Sequence, residues 1–280
     1  MNYIYNAPES SIDVRYDYEW EILRTALEKT RPKYGDFKMT RSNVMSEKRQ
    51  AFEMMHPKGE LSVMYLSTCP EFEKELIGIH IPVDKNLGGY CIFLIRKEKK
   101  DQFQKIATLD DLRKLSFGQG LDWIDVAILQ ASGIKVITGS SYDGLFEMLI
   151  QKRFDILLRA AVEICEEVDQ RKASMPDLYI EDSICLYYPM PMYFWFSKTA
   201  EGKRLAERAE EGMRMMIADG TYDRIFDKYQ LPKIEKLHLK NRRMFTIKNP
   251  MLGPETPFKD KRLWFDPKTY HPAKKPNGGQ

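Results

Sequence analysis

The sequence predicts an α/β protein in which parallel strands are covered by helices. Three observations carry that reading. Between Thr108 and Leu158 helix and strand patterns alternate, the signature of a parallel sheet joined by crossover helices. A strongly apolar strand, Tyr90 to Ile95, follows the turn residues Gly88–Gly89. And 280 residues, 43% of them hydrophobic, are enough for two compact lobes or one large domain.

The elements follow in order. Tyr3–Asn6 reads as a short strand ended by Pro8, and Asp17 to Lys29 as a helix with Trp20, Leu23 and Leu27 on one face. Leu61–Leu66 is an apolar strand. Thr108-Leu-Asp-Asp111 has the form of an N-cap and opens a short helix to Leu115. Phe117–Gly120 is a strand running into a turn, and Asp122 to Ala131 a helix closed by Gly133. Ile134–Ile137 is a strand, Ser141 caps a helix through Lys152, and Phe154–Leu158 is a strand. After Pro191 come an aromatic strand, Met192–Phe196, and an amphipathic helix, Ala200 to Ala218, stopped at Gly220. A short helix, Thr221 to Tyr229, is the last regular element expected.

Charge excludes some functions. The net charge of +3 is too small to suggest nucleic acid as a partner. It is uneven, because residues 231–280 hold 12 Lys/Arg against 4 Asp/Glu. Seven prolines interrupt this basic tail, so it is expected to wrap the surface, pinned by Phe245, Trp264 and Phe265. No stretch approaches the about 20 apolar residues of a membrane span. The first residues read as a strand and not as a secretion signal. Cys69, Cys91, Cys165 and Cys185 are widely spaced without C-x-x-C, which leaves two disulfides, one or none open. The four histidines have no metal-ligand spacing, and there is no P-loop, dinucleotide fingerprint or G-x-S-x-G elbow. No cofactor and no metal are expected.

The central segment adds a more specific pattern: a T-L-D-D-L helix, a strand ending Gly118-Gln-Gly120, the helix Tyr142-Asp-Gly-Leu-Phe-Glu-Met-Leu149, then Lys152-Arg-Phe-Asp155. With Asp219-Gly220 through Lys228 near the end of the pattern, this resembles the family 3 extracellular solute-binding proteins, the polar-amino-acid receptors of ABC transporters. The likeness spans roughly residues 1–230, and the long tail suggests a divergent subgroup. It implies a two-lobed type II periplasmic-binding-protein fold, each lobe a mostly parallel sheet flanked by helices. Two crossover strands, Tyr90–Lys97 and Leu186–Phe196, would form a hinge. Lobe one would be 1–93 plus 190–280, and lobe two 94–189. Closure would be driven by a ligand touching both lobes.

The family's amino-acid clamp is not matched. Where its Arg for the α-carboxylate is expected this chain has Phe72, with Cys69 at the Thr position, and where its Asp for the α-amine is expected it has Ala160. Removing one partner of a buried charge pair costs about 2–5 kcal/mol, so a free α-amino acid held in the usual way is not expected. Arg159 is the foremost ligand-binding candidate, since it follows a buried strand at the edge where α/β sheets bind ligands and could take a carboxylate or phosphate bidentately. A local ion pair with Glu163 is the competing reading. The remaining ligand-binding candidates each have a plainer use. Asp122 could cap a helix, Trp123 could be core, and Tyr5, Glu9, Ser67, Thr68 and Tyr142 could be ordinary strand-end or helix-start residues.

The reading that results is a periplasmic, monomeric, non-enzymatic solute-binding protein. It closes on a small polar, anionic ligand, an acid or amino-acid derivative, and delivers it to a membrane permease. The alternatives are a dehydratase-like lyase on the same fold, using Glu9 or Glu163 as acid or base, and a ligand sensor or accessory protein without a transport role.

Overall fold

The computed structural model describes residues 1–7, 16–56 and 58–273. The chain divides into two compact units: unit 1 is Met1–Asn86, Pro191–Pro232 and Leu252–Gln280, and unit 2 is Leu87–Met190 and Lys233–Met251.

Unit 1 begins with β1 (Asn2–Tyr5), α1 (Asp17–Lys29), α2 (Arg31–Tyr34) and β2 (Lys38–Arg41). β1 and β2 pair in parallel, Asn2 opposite Lys38 through Tyr5 opposite Arg41. α3 (Glu47–Met55) follows, its N-terminus capped by the Ser46 hydroxyl, which accepts from the Arg49 amide. β3 (Met64–Ser67), α4 (Pro70–Glu75) and β4 (Leu76–Ile79) complete the first part.

Unit 2 opens with β5 (Tyr90–Arg96), all seven residues of which are buried. Its helices are α5 (Lys100–Phe103), α6 (Leu109–Arg113), α7 (Asp125–Ala131), α8 (Tyr142–Ile150) and α9 (Ile164–Arg171). Its further strands are β6 (Ser116–Gly120), β7 (Lys135–Gly139), β8 (Ile156–Ala160), β9 (Leu178–Ile180) and β10 (Ile184–Tyr187). The Thr108 cap is a full capping box with Asp111, and Ser141 caps α8 through the Gly144 amide. The chain then supplies β11 (Met192–Ser197) and α10 (Ala200–Ala218) to unit 1. α11 (Thr221–Lys236) runs on through Pro232, seven residues past the expected end, and β12 (Arg243–Thr246) is the last strand.

Unit 1 has an antiparallel sheet ordered β3-β11-β4, with the central aromatic strand MYFWFS expected from the sequence. The Trp195 indole N–H donates to the Leu66 carbonyl at 3.0 Å, tying side chain to sheet. α1 buries Tyr18, Ile22, Leu23, Ala26 and Leu27, the face its periodicity marks. At Gly212 of α10 a Cβ would lie 2.1 Å from the Ala26 carbonyl oxygen, so α1 and α10 touch backbone to backbone. Arg208 of α10 is fully buried beside them. It donates to Leu27 O at 3.2 Å, Gly35 O at 2.7 Å and the Thr30 hydroxyl at 3.2 Å. The guanidinium thus satisfies the Leu27 carbonyl at the negative end of α1 and the Gly35 carbonyl at the end of α2.

Unit 2 has a seven-stranded sheet ordered β12-β10-β5-β8-β6-β7, with β9 also pairing β5. β6 runs parallel to β7 and β8, while β5 runs antiparallel to β8, β9 and β10. The sheets are therefore mixed, and the expectation of mostly parallel ones is corrected for both units. The core of unit 2 includes Phe93, Ile95, Phe117, Ile128, Leu158 and Leu186.

The unit boundaries also differ from the expected 1–93 plus 190–280 and 94–189. β5 belongs wholly to unit 2. The expected crossover Leu186–Phe196 is two strands, β10 and β11, in different sheets. Residues 233–251 of the tail join unit 2 because β12 pairs in parallel with β10, Ile184 opposite Arg243 through Tyr187 opposite Thr246. Ile247 is buried in the unit 2 core with Phe245 against it. The buried Arg242 anchors the same segment, donating to Leu237 O at 2.7 Å and Ile184 O at 3.0 Å. Among the described residues no helix is long and apolar enough to cross a membrane. All four cysteines are free thiols.

Two outcomes follow. Arg208→Met removes its hydrogen bonds to the buried Leu27 carbonyl and Thr30 hydroxyl and to the part-buried Gly35 carbonyl; at about 1 kcal/mol for each, urea unfolding should show a loss of roughly 2–3 kcal/mol. Thermal melts with and without a thiol reductant should superimpose, and a melting point that falls with reductant would contradict the free-thiol state.

Candidate functional site

The C-terminal ends of β6 and β8 in unit 2 carry the densest group of polar and aromatic side chains among the expected site residues. β6 ends at Gly120, where a Cβ would meet the Trp123 ring at 2.5 Å. Glycine there lets the turn Leu121–Asp122 fold the indole back over the strand end. Leu121 is 59% exposed at the tip of that turn.

Arg159, on β8, is buried. Its guanidinium lies 4.6 Å from the Trp123 ring and 5.7 Å from the Tyr142 ring, within cation–π range of both. Two of its nitrogens are also engaged with acids. Nε donates to Glu167 Oε2 at 2.8 Å, and Nη2 bonds Glu167 Oε1 at 2.6 Å and Glu163 Oε2 at 2.8 Å. The Tyr142 hydroxyl donates to the same Glu167 at 2.7 Å. Burial works against the charged guanidinium, but the carboxylates of Glu163 and Glu167 outweigh it and push its pKa up. Glu163 is the outer acid of the pair, with 26% of its side chain exposed against 2% for Glu167. The local ion pair that competed with a ligand role for Arg159 is therefore present.

Behind this group runs a hydrogen-bonded chain. The Cys91 thiol donates to the Tyr188 hydroxyl at 3.2 Å, and Tyr188 in turn donates to Asp125. Burial raises the Asp125 pKa above the usual carboxylate range, opposed by the Tyr188 hydrogen bond and the positive charge of Arg159. The same burial raises the Cys91 and Tyr188 pKa values, so both are neutral donors.

Of the expected site residues, the structure brings Arg159, Trp123 and Tyr142 together. Asp122 is exposed in the turn and does not cap α7, which starts at Asp125 with Ile124 at the N-cap and no side-chain cap bond. The remaining candidates belong to unit 1. Tyr5 is buried against Trp20, ring centroids 4.5 Å apart, as part of an aromatic core. Ser67 pairs with Met192 in the sheet. The buried Thr68 donates to Glu73 at 2.6 Å, and Glu73 also meets His80 at 2.9 Å. Glu9 lies outside the described residues. At the two departures from the amino-acid clamp, Phe72 packs on Trp195 at 5.6 Å and Ala160 pairs with Cys91 in the sheet. Neither supplies a charge.

Glu167 and the Asp125–Tyr188 pair escaped the sequence reading. Glu167 had a usable signal: it lies one helical turn beyond Glu163, on the same face. Tyr188 had none, being separated from Asp125 by 63 residues.

No protein-family model matches the chain, and no curated protein sequence is similar to it. Solved structures do match its fold. An ancestral arginine-binding protein bound to arginine superimposes with a TM-score of 0.58 at 16% identity, covering 81% of this chain and 97% of that one. A Salmonella typhimurium periplasmic binding protein with high arginine specificity gives 0.57 at 14%, covering 82% and 99%. The substrate-binding protein of an amino-acid ABC transporter gives 0.53 at 14%, covering 82% and 99%. At these identities the likeness is one of architecture, and this chain has the fold of the type II periplasmic binding proteins.

Proposed function

We propose that the chain is an extracytoplasmic, periplasmic solute-binding protein that closes on a small polar, anionic ligand and delivers it to a membrane permease. The observation that carries this is the fold: it matches nearly the whole length of proteins whose role is to bind small solutes. The cluster at the ends of β6 and β8 supports it, because open α/β sheets take ligands at strand C-termini. The Trp123 and Tyr142 rings supply apolar walls, and Arg159 supplies the positive charge.

At Nε and Nη2 an acid can reach that charge only by sharing it. Glu167 is buried and holds Nε and Nη2, so it stays. Glu163 holds Nη2 alone from a partly exposed position, and a ligand carboxylate would compete with it there. The lyase alternative is less well supported. A carboxylate bonded to a guanidinium is held in its charged, accepting form and is a poor proton donor.

The competition has a measurable sign. In calorimetric titrations with organic acids found by a thermal-shift screen, Glu163→Gln should tighten binding, by about tenfold for each 1.4 kcal/mol of competition removed. Weaker acid binding, or a screen in which only cationic ligands register, would overturn the anionic preference. Trp123→Ala should weaken the same ligands by about tenfold through loss of a stacking wall, with the melting point nearly unchanged. Arg159→Met should cost roughly 3–5 kcal/mol of stability, since it leaves Glu167 buried without its partner, and the double variant with Glu167→Leu should regain much of that.

A further inference from the structure

The segment Pro82–Asn86 ends unit 1 and leads directly into Leu87 of unit 2. Connections usually run exposed over a surface, where water satisfies their backbone. This one is buried: Val83 and Asn86 are 0% exposed, Asp84 1% and Lys85 4%. Lys85 and Asn86 both have left-handed backbone, with φ of 53° and 61°. That conformation is disfavoured for side-chain-bearing residues and persists only where surroundings hold it.

The surroundings come from several parts of unit 1. The Tyr18 hydroxyl donates to Val83 O at 2.6 Å, the Tyr222 hydroxyl to Val83 O at 3.1 Å, and the Val83 amide to Met192 O at 2.9 Å. Further hold comes from α11 and from the C-terminal tail. The Phe265 amide donates to Lys85 O at 2.8 Å, and Lys85 Nζ donates back to Arg262 O at 2.7 Å. Lys85 Nζ also pairs with Asp223 at 2.7 Å, and sits 4.9 Å from the Tyr222 ring. The tail is itself fastened: Phe265 and Tyr270 pack on Phe226 at 5.8 and 5.5 Å, and Asp227 accepts from the Tyr270 hydroxyl at 2.5 Å.

We propose that residues 252–270 form a strap that locks the Lys85–Asn86 connection in its left-handed state, so that rotation about this connection requires the strap to release first. The tail would then set how readily the connection moves, whatever the solute. The reciprocal pair of bonds between Lys85 and the 262–265 turn makes this specific. One side grips the backbone carbonyl of the left-handed residue and the other its ammonium group, so both must break together.

Hydrogen exchange of the full chain tests the lock. Phe265→Ala removes the ring that seats the strap, and peptides covering 82–89 should exchange at least tenfold faster while those covering β6 and β8 keep their rates. Tyr270→Phe, which removes only the hydroxyl donated to Asp227, should accelerate the same peptides more modestly. This milder variant preserves the test if Phe265→Ala does not fold. Faster exchange confined to 258–270, with 82–89 unchanged in a folded variant, would overturn the proposal.

Discussion

Buried guanidinium groups hold together segments that lie far apart in the sequence, and the rest of the structure depends on them. Arg208 in unit 1 and Arg96, Arg159 and Arg242 in unit 2 are all nearly inaccessible. Removing such a cation from water is costly unless its donors are all used. Each is engaged differently, and the buried Arg96 Nε has an ion-pair contact with Glu98 at 3.4 Å but no hydrogen bond. Arg208 donates to carbonyls at the ends of α1 and α2. Arg96 donates to Leu149 O and Phe154 O, joining β5 to the turn after α8. Arg242 fixes the tail segment beside β10. Carbonyls are the main acceptors for these three, so their geometry is as demanding as that of a helix cap.

Arg159 is the exception, because its partners are acids and aromatic rings. A guanidinium within cation–π range of Trp123 and Tyr142 and bonded to two carboxylates is rigid and charged, and its Nε and Nη2 have little donor capacity left over. The same contacts that preorganise the group limit what it can offer a ligand. Preorganisation is useful to a receptor, since a side chain already ordered loses little entropy when a ligand arrives.

The sequence makes the α/β alternation of residues 108–160 legible because most elements there are opened by a cap or closed by a glycine. α1, α6, α8, β11 and α10 lie within a residue or two of their expected places, α6, α8 and α10 through their caps and α1 and β11 through their apolar patterns. β4, β10 and β12 are four residues each, too short for an alternation to show. α3, EKRQAFEMM, is largely polar and relies on its Ser46 cap. The tail assignment failed on a long-range fact, the pairing of β12 with β10, which no local pattern encodes. At the site, Arg159 with Glu163 was readable from i,i+4 spacing. The Trp123 ring over Arg159 was not, because it depends on how the chain turns after Gly120.

That turn has a consequence for how closely aromatic rings lie on β6. On β6, Gly118 accommodates the Phe154 ring and Gly120 the Trp123 ring, where a methyl group would meet carbons at 2.2 and 2.5 Å. The two rings sink onto a strand that has no side chains to raise them. Hydrogen atoms at two alternate positions of one strand therefore fix how closely these rings approach its backbone. A larger residue at Gly120 would displace the indole that lies against the Arg159 guanidinium, without altering a single charged group.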